Sequence, residues 1–244
     1  MEKSFKFTFL SSNVIKVLAS IFMVIDHVGY ILFPELTILR ILGRLSMPLF
    51  AFMIAEGAYY TKNKIKYFSL IFVLGLIFQV VFYVAEQSLY MGILITFSIS
   101  ILIIYALQFF QLKLNNGSLL EKIYSILLFA LLVALTYWLN IVLQIDYGFW
   151  GCLLPVFGSV LRIKSTKPNG TKICFNVNLI NLLTFAIGLT LLCLFSGGIQ
   201  YYALLTLPIL FFYSGKRGKF NLKYFFYIFY PAHMVIIYGI AFLL

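Results

Sequence analysis

Polar punctuation recurs along an otherwise apolar chain and divides it into nine runs, roughly residues 13–33, 45–61, 67–85, 92–112, 123–141, 147–163, 176–195, 200–214 and 224–243. Most approach the ~20 residues that an α-helix needs to cross a ~30 Å hydrocarbon core. The period-two alternation of a membrane barrel is absent. The pattern therefore predicts an all-α, polytopic bundle of about nine transmembrane helices. The second and eighth runs are short, which suits a tilted, kinked or re-entrant segment. The first run begins like an export signal, but its apolar stretch continues past any small-residue cleavage site, so it is expected to stay as a span. The longest polar connection is RIKSTKPNGTK, residues 162–172, with the Pro and Gly of turn chemistry. With no internal repeat and no low-complexity segment, residues 1–244 read as a single domain.

Composition agrees with this picture: 63% of residues are hydrophobic and 10% charged, against about a quarter charged in soluble domains. The net charge of +11 is mostly a topology signal. If the N-terminus faces the cytoplasm, 16 of the 18 lysines and arginines fall on the inner side, and only Arg40 and Arg44 do not. Nucleic acid is excluded as a partner because the basic residues are split among five short loops; anionic membrane lipids remain natural neighbours. Cys152, Cys174 and Cys193 are dispersed and no CxxC or HExxH spacing occurs, so neither a disulfide framework nor a metal site is indicated.

Candidate chemistry begins with MVIDHVGYILFPE, residues 23–35, which places Asp26 and His27 inside an apolar run. An Asp at a helix centre costs at least ~2.5 kcal/mol on insertion scales, so such a residue needs a partner, a hydrated cavity or a function. Counted from Lys16, His27 lies ~16 Å along the helix; counted from Lys223, His233 lies ~15 Å along the last run. The two histidines of the chain are thus expected at a similar depth. An imidazole there can take a proton from an attacking amine or hydroxyl and return it later. Asp26 cannot orient the adjacent His27 ring, because sequence neighbours on a helix point ~100° apart. A partner from another helix is needed. Glu56 and Asp146 are the available acids, while Arg40 or Arg44 could instead neutralise Asp26. The two arginines are spaced i, i+4 and would project from one face, suited to a carboxylate or phosphate. Bland alternatives stand beside these: a hydrated structural Asp26–His27 pair, a structural hydrogen bond from His233 to backbone freed by Pro231, and Glu56 as a partner of an inner lysine.

Four segments occur in order: KVLASIFMVIDHVGYILFP (16–34), RILGRLSMPLFAFMIAEGAYYT (40–61), DYGFWGCLLP (146–155) and YSGKRGKFNLKYFFYIFYPAHMVI (213–236). Together the chain resembles the TraX family of integral membrane proteins, whose namesake is associated with N-terminal acetylation of conjugative pilin. One departure is visible: an Asn-Ile or Asn-Val step is expected before Thr96, and Gly92-Ile93 stands there. A weaker likeness extends to other membrane acyltransferases, which place a basic residue roughly ten positions before a histidine on the first span; here Lys16 precedes His27 by eleven.

The resemblance implies a multi-pass protein of the bacterial inner or plasma membrane. It further implies an acyltransferase that moves an acetyl group from cytoplasmic acetyl-CoA to a peptide or pilin amine, or to a glycan or lipid hydroxyl. In that role His27, Asp26 and His233 would be catalytic, and Lys16, Lys62 and Lys64 would hold the cofactor phosphates. Arg40, Arg44, Glu56, Asp146 and Tyr147 would face the acceptor. The competing expectations are a proton-coupled transporter using Asp26, His27 and Glu56 as a relay, and a non-catalytic partner in pilus or conjugation assembly.

Overall fold

The computed structural model describes residues 9–160, 175–218 and 223–244. Lys3, Lys6, Cys174, Lys219 and the whole 162–172 connection, with Arg162, Lys164, Lys167 and Lys172, lie outside them. The described elements are α1 (Ser12–Ile31), α2 (Thr37–Gly43), α3 (Ser46–Tyr60), α4 (Lys64–Glu86), α5 (Ile93–Asn116), α6 (Leu119–Val142), α7 (Gly148–Phe157), α8 (Phe175–Ser196), a 3-10 helix (Gly198–Leu205), α9 (Thr206–Phe211) and α10 (Lys223–Leu243). Among the described residues there is no strand, only two isolated bridges, Leu10 to Tyr213 and Met91 to Ile145.

Local sequence explains most boundaries. The Ser11 hydroxyl accepts the Val14 amide at the head of α1, and the Asn63 side chain accepts Lys66 N at 2.8 Å at the head of α4. Ser118 and Glu121 form a reciprocal capping box that opens α6. Six described helical segments are long and apolar enough to cross a membrane: α1, α2 with α3, α4, α5, α6 and α8. Segments 148–157, 198–211 and 228–243 are shorter apolar helices. The eighth run, expected over 200–214, is not one helix. Left-handed Gly197 and Gly198 (φ 67° and 54°) start a 3-10 helix that passes into the short α9.

The chain forms two compact units, residues Met1–Met53 with Leu189–Leu244, and residues Ile54–Gly188. The second unit is organised around α5, whose Ile103, Ile104 and Leu107 pack with Ala58 and Val156. Side-chain hydroxyls tie its helices to neighbouring backbone, as expected where water is scarce. Ser100 donates to the Cys152 carbonyl at 2.7 Å, and Thr184 to that of Phe157 at 2.7 Å. At the Gly92 departure a Cβ would stand 3.2 Å from the Phe78 ring, so a larger residue would displace that ring.

In the first unit α2 folds back on α1 at two glycines. A Cβ on Gly29 would meet Leu39 Cβ at 2.6 Å, and one on Gly43 would meet Asp26 Oδ1 at 2.1 Å. Ser46 at the head of α3 donates to the Ala19 carbonyl at 2.9 Å, which extends the same docking. On another side of α1, Lys16 lies over the Phe226 ring and His27 meets His233, so α1 and α10 run parallel. Gly43→Ala is expected to lower stability by roughly 1–3 kcal/mol, because the added methyl must push α2 away from Asp26. Thermal unfolding in detergent reads this; an unchanged melting temperature would contradict the close approach.

Candidate functional site

Because adjacent helix residues diverge by ~100°, α1 presents Asp26 to α2 and His27 to α10. The carboxylate receives both arginines. Arg44 Nη2 donates to Asp26 Oδ1 at 2.7 Å and Oδ2 at 2.9 Å, while Arg40 Nη1 stands 2.8 Å from Oδ2 and donates to the Asp26 carbonyl at 3.1 Å. Their i, i+4 spacing on α2 lets both reach one acid. Arg44 Nε also donates to the Arg40 carbonyl at 3.3 Å, and the Arg40 guanidinium lies over the Tyr30 ring at 5.0 Å. Of the two roles foreseen for Arg40 and Arg44, the pairing with Asp26 is the one made here.

His27 uses its other surroundings differently. Its Nδ1 is 2.8 Å from the Met23 carbonyl, one turn back on α1. His233 repeats the arrangement on α10, with Nδ1 3.1 Å from the Phe229 carbonyl. A carbonyl only accepts, so each Nδ1 carries the proton and Nε2 is the basic nitrogen of each neutral ring. The rings meet edge to face with centroids 5.1 Å apart. His233 is 5% exposed, and its Nε2 is buried without a hydrogen-bond partner. Phe229 stacks on His233 at 5.4 Å and an interplanar angle of 10°, holding the imidazole plane. The His233 hydrogen bond is made by Nδ1 to Phe229, not to the carbonyl at position 227 that Pro231 leaves without its amide, and it leaves the second nitrogen unused. Such a pair can accept and hand on a proton.

The remaining candidates separate by unit. Lys16, with its amine over Phe226 at 5.9 Å, shares α1 with His27. Glu56, Lys62, Lys64, Asp146 and Tyr147 all belong to the Ile54–Gly188 unit. Glu56 is buried on α3, Lys62 is exposed, and Lys64 lies over the Tyr105 ring at 4.8 Å. Asp146 accepts the Tyr90 hydroxyl at 2.7 Å, its carbonyl accepts Thr96 Oγ1 at 2.9 Å, and its amide donates to Met91 at 2.9 Å. Tyr147 adopts φ 58° as the residue that caps α7. Asp146 and Tyr147 thus hold a turn between α6 and α7 together.

Two contributors were not foreseen: the Met23 carbonyl and the Tyr30 ring beneath Arg40.

Long apolar helices that carry ion-paired and imidazole groups in their interior define the class: a helical membrane protein with an internal polar site. The chain belongs to the TraX family, whose model, described as TraX protein, matches residues 11–241. It is 29% identical over 242 residues to the probable fimbrial assembly protein FimC, serogroup H1, of Dichelobacter nodosus, covering 91% of this chain and 92% of that protein. It is 46% identical over 68 residues to an uncharacterized protein of Rickettsia prowazekii (strain Madrid E), covering 28% of this chain and a quarter (25%) of that one. No solved structure matches.

Asp26→Asn should destabilise more than Arg40→Gln, since it removes the acid that both guanidiniums reach whereas the second change leaves Arg44 bidentate on Asp26. Asp26 and Arg44 side chains are 15% and 13% exposed, so the expected loss for Asp26→Asn is roughly 2–4 kcal/mol. Detergent unfolding curves of both variants decide it; equal losses would mean that charge balance does not govern the cluster.

Proposed function

We propose that this protein is a membrane-embedded acyltransferase that moves an acetyl group from cytoplasmic acetyl-CoA to an amine or hydroxyl of an acceptor at the membrane or its outer face. One observation carries the proposal: two imidazoles on parallel helices meet with both Nδ1 atoms anchored and a buried, unpartnered Nε2 on His233. The acceptor would be a pilin or similar peptide amine, or a glycan or lipid hydroxyl; likeness to the Dichelobacter probable fimbrial assembly protein supports the pilin.

Acetyl-CoA supplies an activated thioester. His27 Nε2 takes the proton from the attacking N–H or O–H as the new bond to the acyl carbon forms, and returns it to the thiolate as the carbon–sulfur bond breaks. His233 holds the opposite side of the reacting group, its buried nitrogen serving as a proton acceptor or, once protonated, as a donor to the thioester oxygen. Asp26 acts through Arg44 and Arg40, which it fixes on α2. Lys16 stands ~16 Å along the helix from His27, a span comparable to an extended pantetheine arm. The parallel course of α1 and α10 agrees with an odd number of crossings, a cytoplasmic N-terminus and an outer C-terminus in a multi-pass protein of the inner or plasma membrane.

A second reading, a non-catalytic partner in pilus assembly, draws on the same relative's name. It expects pilus assembly to survive replacement of both histidines.

Purified protein incubated with labelled acetyl-CoA and a membrane extract should yield a labelled acceptor. His27→Ala should reduce transfer by about 10²–10⁴-fold while expression and detergent stability hold. Undiminished turnover in that variant would remove His27 from the role. Lys16→Ala should raise the KM for acetyl-CoA more than it lowers kcat.

A further inference from the structure

The segment just before α10 is bonded to the segment just before α1. Phe9 and Leu10 amides donate to the Phe212 carbonyl at 3.1 and 3.0 Å, and Ser214 donates its amide and its hydroxyl to the Leu10 carbonyl at 2.8 and 2.9 Å. Further along, Ser12 N donates to the Lys216 carbonyl at 2.8 Å and Asn13 N to the Arg217 carbonyl at 3.2 Å. Gly218, at φ 97°, lies so close that a Cβ there would meet Ser11 Oγ at 2.8 Å. The first amides of α1 are therefore occupied by protein carbonyls and offer nothing to a ligand. What the docking supplies is side-chain charge: exposed Lys216 and Arg217 are pinned by their own backbones to residues 12 and 13, one helical turn from Lys16.

We propose that Lys16, Lys216 and Arg217 form the phosphate-binding site of this unit and hold the phosphates of coenzyme A at the end of α1 opposite Glu35. The inference rests on the acyltransferase reading for the identity of its ligand. Lys62 and Lys64, expected in this role, belong to the other compact unit, whereas Lys216 and Arg217 share a unit and a hydrogen-bonded junction with the helix that carries His27. Arg217 brings a planar fork suited to two phosphate oxygens, and the lysines bring point charges. Because the loop is held by main-chain carbonyls, its side chains can be replaced without undoing the junction.

Binding of coenzyme A, and separately of pantetheine, is measured by calorimetry on the full chain in phosphatidylcholine nanodiscs, without turnover. The double variant Lys216→Gln with Arg217→Gln should weaken coenzyme A binding by roughly tenfold or more and leave pantetheine binding unchanged. Removing two charges elsewhere, Lys66→Gln with Lys122→Gln, should leave coenzyme A binding within about twofold. Equal coenzyme A affinity in wild type and the Lys216/Arg217 variant overturns the proposal, as does wild-type protein that binds coenzyme A no better than pantetheine. A gap between them that appears only in nanodiscs containing phosphatidylglycerol would assign the loop to lipid phosphates and overturn it too. Loop-dependent coenzyme A binding in a protein that transfers no acetyl group would refute the acyltransferase reading alone. Acetyl transfer with a KM indifferent to Lys216 and Arg217 would refute this site alone.

Discussion

On a helix, two adjacent side chains cannot serve the same neighbour. Asp26 and His27 turn that constraint into an arrangement: α1 lies between α2 and α10, the carboxylate goes to one and the imidazole to the other. Everything else in the first unit follows from holding α1 in that position. Gly29 and Gly43 let α2 come close enough for two arginines to reach one acid, and the 9–13 and 212–217 segments set α10 alongside.

The ion cluster and the imidazole pair solve different problems in the same low-dielectric surroundings. A carboxylate between two guanidiniums satisfies the acid, so the cluster stabilises the α1–α2 packing. Each imidazole gives its Nδ1 proton to a helix carbonyl one turn back. Their cost is an orphaned nitrogen on His233, which a structural role alone does not require. A reacting group with a proton to give would satisfy it.

In the second unit Ser100, Thr96, Thr184 and Asp146 are matched to backbone or to Tyr90 at ordinary hydrogen-bond distances, while the buried amides of Gln108 and Asn181 keep unpartnered atoms. Asp146 and Tyr147 looked chemical in the sequence because an acid and an aromatic beside a glycine suit both a binding loop and a tight turn. Spacing does not separate the two; a left-handed φ at Tyr147 and three hydrogen bonds at Asp146 do.

Hydropathy alone determined the helical class and most of the helix positions, because the cost of exposing backbone to lipid leaves a long apolar run little choice but a helix. It also singled out Asp26, His27 and His233, since ionisable groups in such runs are expensive wherever they face. Three features were beyond its reach. The break at 198–211 depends on two left-handed glycines, the division into two compact units depends on which helices pack, and the small residue at position 92 depends on Phe78 of another helix. Which acid met which arginine, and which lysines stood by the histidine helix, were likewise decided by tertiary structure, because a helical period specifies the direction of a side chain on its own helix but not the neighbour waiting there.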